Sequence, residues 1–255
     1  MYQVTSTDET VLEVDRSGDG PALVLVSGAF NTRQSTKDLS ALLADRFTVF
    51  EYDRRGRGDS GDSTAGYEVA RELEDLYAVI RSTGEAAFVY GHSSGAILAL
   101  DAAASGVPMR KLAVYEPPLL FGHPMPLETV DTLKAFVAEG DREGAAKQFL
   151  RGTGMPEGQL EWISNAPFWP GMLGLAHTLP YDQLITVTGS ASSDWLATVT
   201  VPVLAIAGGT SDEWAAEAAE RIAAVVADGT AVVLPGQNHA VEAAAVAPLL
   251  REFFV

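Results

Sequence analysis

An α/β fold built on a mostly parallel sheet, with helices on both faces and a helical insertion, is predicted by three observations in this 255-residue chain. Short apolar, β-branched runs alternate with stretches of helical spacing. Residues 117–194 break that alternation. The pentapeptide Gly91-His92-Ser93-Ser94-Gly95 lies between an apolar run and a helical one, so it reads as strand, sharp turn, helix. Strands separated by helices need crossover connections, which make a sheet parallel and cover both of its faces.

The elements follow in order. Residues 11–14 and 22–26 are predicted strands divided by the turn Ser17-Gly18-Asp19-Gly20-Pro21. A helix near residues 37–43 leads to a strand at 47–52, and helical spacing over 67–82 leads to a strand ending at Tyr90. A helix follows the pentapeptide, then a strand at 111–115. Strands at 201–207 and 230–234 alternate with helices at 212–226 and 241–254. Residues 1–116 and 195–255 form the expected core. Between them, 117–194 has no convincing strand and is expected to fold as a helical cap over the carboxyl ends of the strands, where ligands sit in open α/β sheets. Its Trp162, Phe168, Trp169 and Met172 are candidate pocket residues, with Phe30 and His92 from the core. Each aromatic is equally suited to gluing the cap to the core.

Composition bounds the function. At 47% hydrophobic residues the chain can fill a sizeable core. With 34 acidic against 17 basic side chains its formal charge is −17, which disfavours nucleic acid and anionic membranes and favours a neutral or weakly charged small-molecule partner. Without cysteine there is no disulfide, thiol nucleophile or thiolate metal site. No apolar run reaches membrane-spanning length and the amino terminus lacks a basic-then-apolar signal, so a cytoplasmic protein is expected. The residues nominate no cofactor or metal and leave the oligomeric state open.

The chemistry concentrates on the pentapeptide. G-x-S-x-G between a strand and a helix places a serine on a turn too tight for neighbouring side chains, so its hydroxyl projects clear of the sheet. Ser93 is the candidate nucleophile. A serine hydroxyl needs a base, and His239, after the Pro235-Gly236 turn and before the last helix, is the candidate. His92 lies within the turn, and His123 and His177 fall in the expected cap as surface or packing residues. Two rival motifs fail. Gly56-Arg57-Gly58-Asp59-Ser60-Gly61 matches G-x-G-x-x-G, but Asp59 would face the pyrophosphate and no helix opens before residue 65. Arg57-Gly58-Asp59 as an adhesion tripeptide has no partner inside a cell.

With these residues in place the chain resembles the α/β-hydrolase superfamily over essentially its whole length. The resemblance rests on the pentapeptide, the Ser27-Gly28-Ala29-Phe30 loop, the Asp53-to-Ser60 loop and Gln237-Asn238-His239, all in family order. It is similar above all to small, capped, actinobacterial-type hydrolases with Glu-Pro-Pro after the strand that follows the nucleophile. The resemblance implies a Ser-His-acid triad and an oxyanion hole from the N–H groups of Ala29 and Ser94. The acid is open between two residues. The superfamily's usual loop nominates Asp212, although spacing from Gly208 puts the usual position on Ser211, and Asp212 also suits a helix first turn capped by Ser211. Glu116 ends an apolar strand and is fixed by Pro117-Pro118, a position from which some capped members supply the acid, and this favours it. Ser27 stands where many members have histidine, which leaves that loop's side-chain bracing in question. The implied activity is cleavage of an ester, lactone or related acyl bond through an acyl-enzyme. A cofactor-free lyase, a C–C bond hydrolase and a non-catalytic ligand receptor are the alternatives on this fold. Ser93 argues against the aspartate-nucleophile dehalogenases and epoxide hydrolases.

Overall fold

The computed structural model describes residues 1–62, 66–122 and 125–255. Eight strands, β1 (Tyr2–Thr5), β2 (Val11–Ser17), β3 (Ala22–Val26), β4 (Thr48–Tyr52), β5 (Ala87–His92), β6 (Met109–Tyr115), β7 (Val203–Gly208) and β8 (Gly229–Leu234), form one sheet in the order β1-β2-β4-β3-β5-β6-β7-β8. β2 is antiparallel to β1 and β4, and the remaining pairings are parallel. β1 has no counterpart among the predicted strands: of its four residues only Val4 is buried, too short a stretch to show alternation. The first two predicted strands do not pair with each other. Their connecting turn crosses the start of β4, where the Gly20 N–H donates to Thr48 Oγ1 at 2.9 Å, and β4 lies between them.

The helices are α1 (Lys37–Leu43), α2 (Val69–Ser82), α3 (Ser94–Ala104), α4 (Glu128–Ala138), α5 (Arg142–Gly152), α6 (Glu157–Ser164), α7 (Trp169–Leu175), α8 (Leu179–Gly189), α9 (Glu213–Val225) and α10 (Ala243–Phe254). The sheet's period-two alternation sorts its side chains between two cores. Val24, Val89, Leu112, Val114 and Ala205 face α2, α3 and α9, while Leu23, Leu25, Tyr90, Tyr115 and Ile206 face α1 and α10. A leucine as enclosed as Leu98 or Leu112 contributes about 1.5–3 kcal/mol by leaving water. No helix among the described residues is long and apolar enough to cross a membrane.

Between β6 and β7, α4 to α8 build a third core from Leu133, Leu150, Leu160, Trp169, Ala176 and Leu179. Ala29 and Phe30, just beyond β3, pack against it, and His177 Nε2 lies 2.8 Å from the Gly56 carbonyl oxygen in the loop after β4. The helical insertion therefore rests on the carboxyl ends of β3 and β4.

α3 approaches β3 closely because Gly95 has no side chain. A Cβ there would stand 2.5 Å from the carbonyl oxygens of Val26 and Ser27. Those are backbone atoms at the end of a central strand, with no flexible side chain to move aside. Gly95→Ala is expected to lower unfolding free energy by about 1–3 kcal/mol or more, seen as a reduced urea midpoint.

Candidate active site

Three segments deliver the central side chains. β5 ends at the turn holding Ser93, whose backbone is left-handed (φ 56°, ψ −127°). A Cβ on Gly91 would stand 2.6 Å from Ala96 Cα, and one on Gly28 would stand 2.8 Å from Ser93 Cβ, so glycine is required on both sides of the serine. β6 delivers Glu116, also left-handed at φ 44° and fully buried. The loop after β8 delivers His239.

These three form one chain of contacts. His239 Nε2 lies 3.1 Å from Ser93 Oγ, and His239 Nδ1 lies 2.7 Å from Glu116 Oε2. The other carboxylate oxygen, Oε1, accepts from the Gly208 N–H at 2.7 Å and the Ser211 hydroxyl at 2.5 Å. Burial pushes the Glu116 pKa up, but the hydrogen bonds from His239, Ser211 and Gly208 outweigh it, and the group is held below the usual carboxylate range. Asp212 is elsewhere: its side chain is exposed at the N-cap of α9. The expectation that Ser211 caps this helix is corrected, because its hydroxyl is taken by Glu116.

The His239 loop is held through its main chain. Thr210 N–H and Oγ1 donate to the Gln237 carbonyl at 2.9 and 2.8 Å. Tyr115 Oη donates to the Asn238 carbonyl at 2.7 Å, and His92 Nε2 lies 2.9 Å from the His239 carbonyl oxygen. His92 thus buttresses the loop and is not aimed into a pocket. Trp214, which sequence reasoning passed over, brings its ring to 6.2 Å from the imidazole of His239.

The remaining expected residues divide. Ser94 opens α3, so no carbonyl of that helix can take its N–H. Ala29 follows Gly28, which lies against Ser93. Phe30 (φ 58°) and Met172 pack on the insertion's core, and the Phe30 ring meets Phe149 edge-on at 5.6 Å. Trp169 lies within that core and is 6% exposed. Trp162 and Phe168 depart from the pocket expectation. They are 66% and 50% exposed and face each other at 6.2 Å over a surface depression lined by Gly158, Glu161, Asn165, Ala166 and Pro167. Helical periodicity finds an aromatic's face but not whether that face looks inward. His123 lies outside the described residues.

Sequence reasoning also missed the buried cations. Arg54 and Arg57, in the loop after β4, are at most 1% exposed. Arg54 pairs with Glu72 at 2.6 Å and Asp182 at 3.0 Å, and Arg57 with Asp182 at 2.8 Å. The available signal was Arg54-Arg55-Gly56-Arg57, three of the chain's 17 basic residues within four positions directly after an apolar strand.

Enclosure, together with the charge of His239 nearby, pushes the His92 pKa down from 6.5 to about 4. The unfolded chain therefore takes up this proton first on acidification. Stability owed to neutral His92 is complete above pH 6.5 and is lost as pH falls toward 4. His92→Gln retains a donor for the His239 carbonyl and removes the titration. The drop in Tm between pH 7 and pH 4.5 is expected to be smaller in this variant than in the parent.

Residues 23–249 match the alpha/beta hydrolase family. A 2-(acetamidomethylene)succinate hydrolase from Mesorhizobium japonicum is 28% identical over 238 residues, covering 89% of this chain and 84% of that protein. Among solved structures, an alpha/beta hydrolase from Sphaerobacter thermophilus is 44% identical, with a TM-score of 0.94 and both chains covered in full. An esterase from Thermogutta terrifontis shares the fold at 20% identity and a TM-score of 0.76, covering 99% of this chain and 97% of its own. With the match running from β3 through the insertion to α10, and so over the segments that bear Ser93, Glu116 and His239, the chain belongs to the alpha/beta hydrolase family.

Proposed function

We propose that the protein is a serine hydrolase cleaving an ester, lactone or related acyl bond of a small, largely apolar substrate through an acyl-enzyme. The observation that supports this reading is the unbroken series Ser93 Oγ, His239, Glu116, with separations of 3.1 and 2.7 Å. In the first step Ser93 Oγ bonds to the substrate carbonyl carbon. Its proton passes to His239 Nε2 and the carbonyl π electrons move to oxygen. Glu116 accepts from Nδ1, which fixes the imidazole orientation and stabilises the imidazolium. The oxyanion is received by the N–H groups of Ala29 and Ser94. Its collapse breaks the bond to the leaving oxygen, which takes the proton from Nε2. Water, deprotonated by His239, then attacks the acyl-serine, and the Ser93 oxygen leaves with that proton.

The insertion, residues 117–194, acts in this reading as a cap over the carboxyl ends of the strands. Ala29 and Phe30, which follow Gly28 and pack on the insertion's core with Phe149 and Met172, offer an apolar wall near the nucleophile. A chain of net charge −17 adds nothing to attract a polyanion.

Three variants test the reading. Ser93→Ala is expected to abolish labelling by a fluorophosphonate and reduce ester turnover by about a thousandfold or more; labelling that persists at Ser94 would refute the assignment. Glu116→Gln is expected to lower kcat far more than Asp212→Asn, since Asp212 makes only a helix-terminal contribution of about 0.3–1 kcal/mol. The reverse ranking in two folded variants makes Asp212 the acid.

A further inference from the structure

Ala29 and Ser94 belong to separate segments, yet both are tied to one carboxylate contributed by the insertion. Asp182, on α8, is fully buried. Its Oδ1 accepts from Ser94 Oγ at 2.6 Å and from Arg54 Nη1 at 3.0 Å, and Arg57 Nη2 donates to Oδ1 and Oδ2 at 2.8 and 2.9 Å. The other terminal nitrogen of Arg57, Nη1, donates to the Gly28 carbonyl at 2.6 Å. Arg54 Nη1 further reaches the Ser27 carbonyl at 3.2 Å and Ser94 Oγ at 3.3 Å.

The Gly28 carbonyl and the Ala29 N–H are two ends of the same peptide unit. No cis peptide is present among the described residues, so that unit is planar with its carbonyl and N–H pointing in opposite directions. A guanidinium that fixes the carbonyl therefore fixes the aim of the N–H. The Ser94 hydroxyl in turn pins the first turn of α3, where the second N–H originates.

We propose that Asp182 and Arg57 are positioning residues for the oxyanion hole: the α8 carboxylate aims the Ala29 N–H through Arg57 and the Ser94 N–H through the Ser94 hydroxyl. The inference rests on the acyl-transfer reading above. It makes the hole a joint product of core and insertion, formed only while α8 is seated. Donors aimed in advance stabilise a developing oxyanion because nothing has to reorganise as the charge appears. A network that only neutralised buried charge would not distinguish a tetrahedral oxyanion from a ground-state ligand.

The test uses the intact protein, a 4-nitrophenyl ester, a phenylalkyl trifluoromethyl ketone and the corresponding phenylalkyl alcohol. The ketone adds Ser93 Oγ to its carbonyl carbon, with the serine proton passing to His239, and so presents a tetrahedral oxyanion. The alcohol binds without one. Arg57→Lys keeps a positive charge beside Asp182, but a single ammonium lacks the fork that spans the carboxylate and the Gly28 carbonyl. Loss of a complete oxyanion donor lowers kcat by about 100- to 1000-fold, and a misaimed donor is expected to lower it by about 10- to 100-fold. The ketone Ki is expected to rise by the same factor, with KM and the alcohol Ki within about threefold of the parent. Ser94→Ala removes one hydroxyl and no charge, and a change in the same sense of about three- to tenfold is expected. Asp182→Asn leaves Arg57 without its counter-charge; if it does not fold, the other two variants decide the matter. Unchanged kcat and ketone affinity in both, or equal loss of ketone and alcohol affinity, overturns the positioning role. Failure of a fluorophosphonate to label Ser93 in the parent overturns the acyl-transfer reading and this inference with it. Parent labelling combined with fully active variants overturns this inference alone.

Discussion

Four ionised side chains share the interior beneath the helical insertion, and their mutual neutralisation constrains everything around them. Arg54, Arg57, Glu72 and Asp182 are each at most 1% exposed. Removing any one ion from water costs several kcal/mol, offset only when every partner is present with good geometry. Burial pushes the Glu72 and Asp182 carboxyls up, and the guanidiniums beside them more than reverse it. The four come from different places: the loop after β4, α2 and α8. Withdrawing one partner leaves an uncompensated charge at a cost of about 3–5 kcal/mol, so these segments assemble together or not at all. The insertion is thereby latched to the sheet by charge as well as by the apolar packing of Ala29 and Phe30.

Strain is concentrated where the chemistry is proposed. Among the described residues four non-glycine residues have positive φ: Ser93, Glu116 and Phe30 in or beside the site, and Glu9 in the turn after β1. Such a conformation costs about 1–3 kcal/mol per residue and persists only where the surroundings overdetermine it. At Ser93 the N–H donates to the Tyr115 carbonyl at 3.0 Å, and at Glu116 to the Ile206 carbonyl at 2.9 Å. Each kink is thus an extension of the sheet's own ladder, with the next strand over holding it in place. The result projects two side chains from adjacent strand ends toward the same imidazole.

The sheet and the nucleophile turn were legible because both are local signals. Continuous apolar runs such as Leu23 to Val26 are written residue by residue, and Gly91 and Gly95 report steric limits that only glycine meets. The direct contact of Glu116 with His239 spans 123 residues; what could be read beforehand was the strand end and the two prolines behind it. Asp182 had no local mark at all. An aspartate in a helical stretch reads as solvated surface, and its partners at Arg54 and Arg57 lie 128 and 125 residues away. Ser211 was misread for a related reason. Next to a helix start its hydroxyl suits a cap, and only the arrival of Glu116 from β6 gives it a stronger acceptor. Trp162 and Phe168 show the limit of composition, since an aromatic in an insertion faces outward as readily as inward when the insertion has a core of its own beneath it.

The carbonyls of Gln237, Asn238 and His239 are fastened to Thr210, Tyr115 and His92, donors belonging to three different segments of the sheet region. A surface loop with independent motion opens at little free energy, and a site built on one is lost well before the domain melts. Here each successive peptide group is bound to β5, β6 or the turn after β7, so the loop shares the opening free energy of those strands. His239, although exposed, is thus held by the strand ends rather than by packing of its own loop. Loosening this histidine therefore requires the ends of β5 and β6 to part as well.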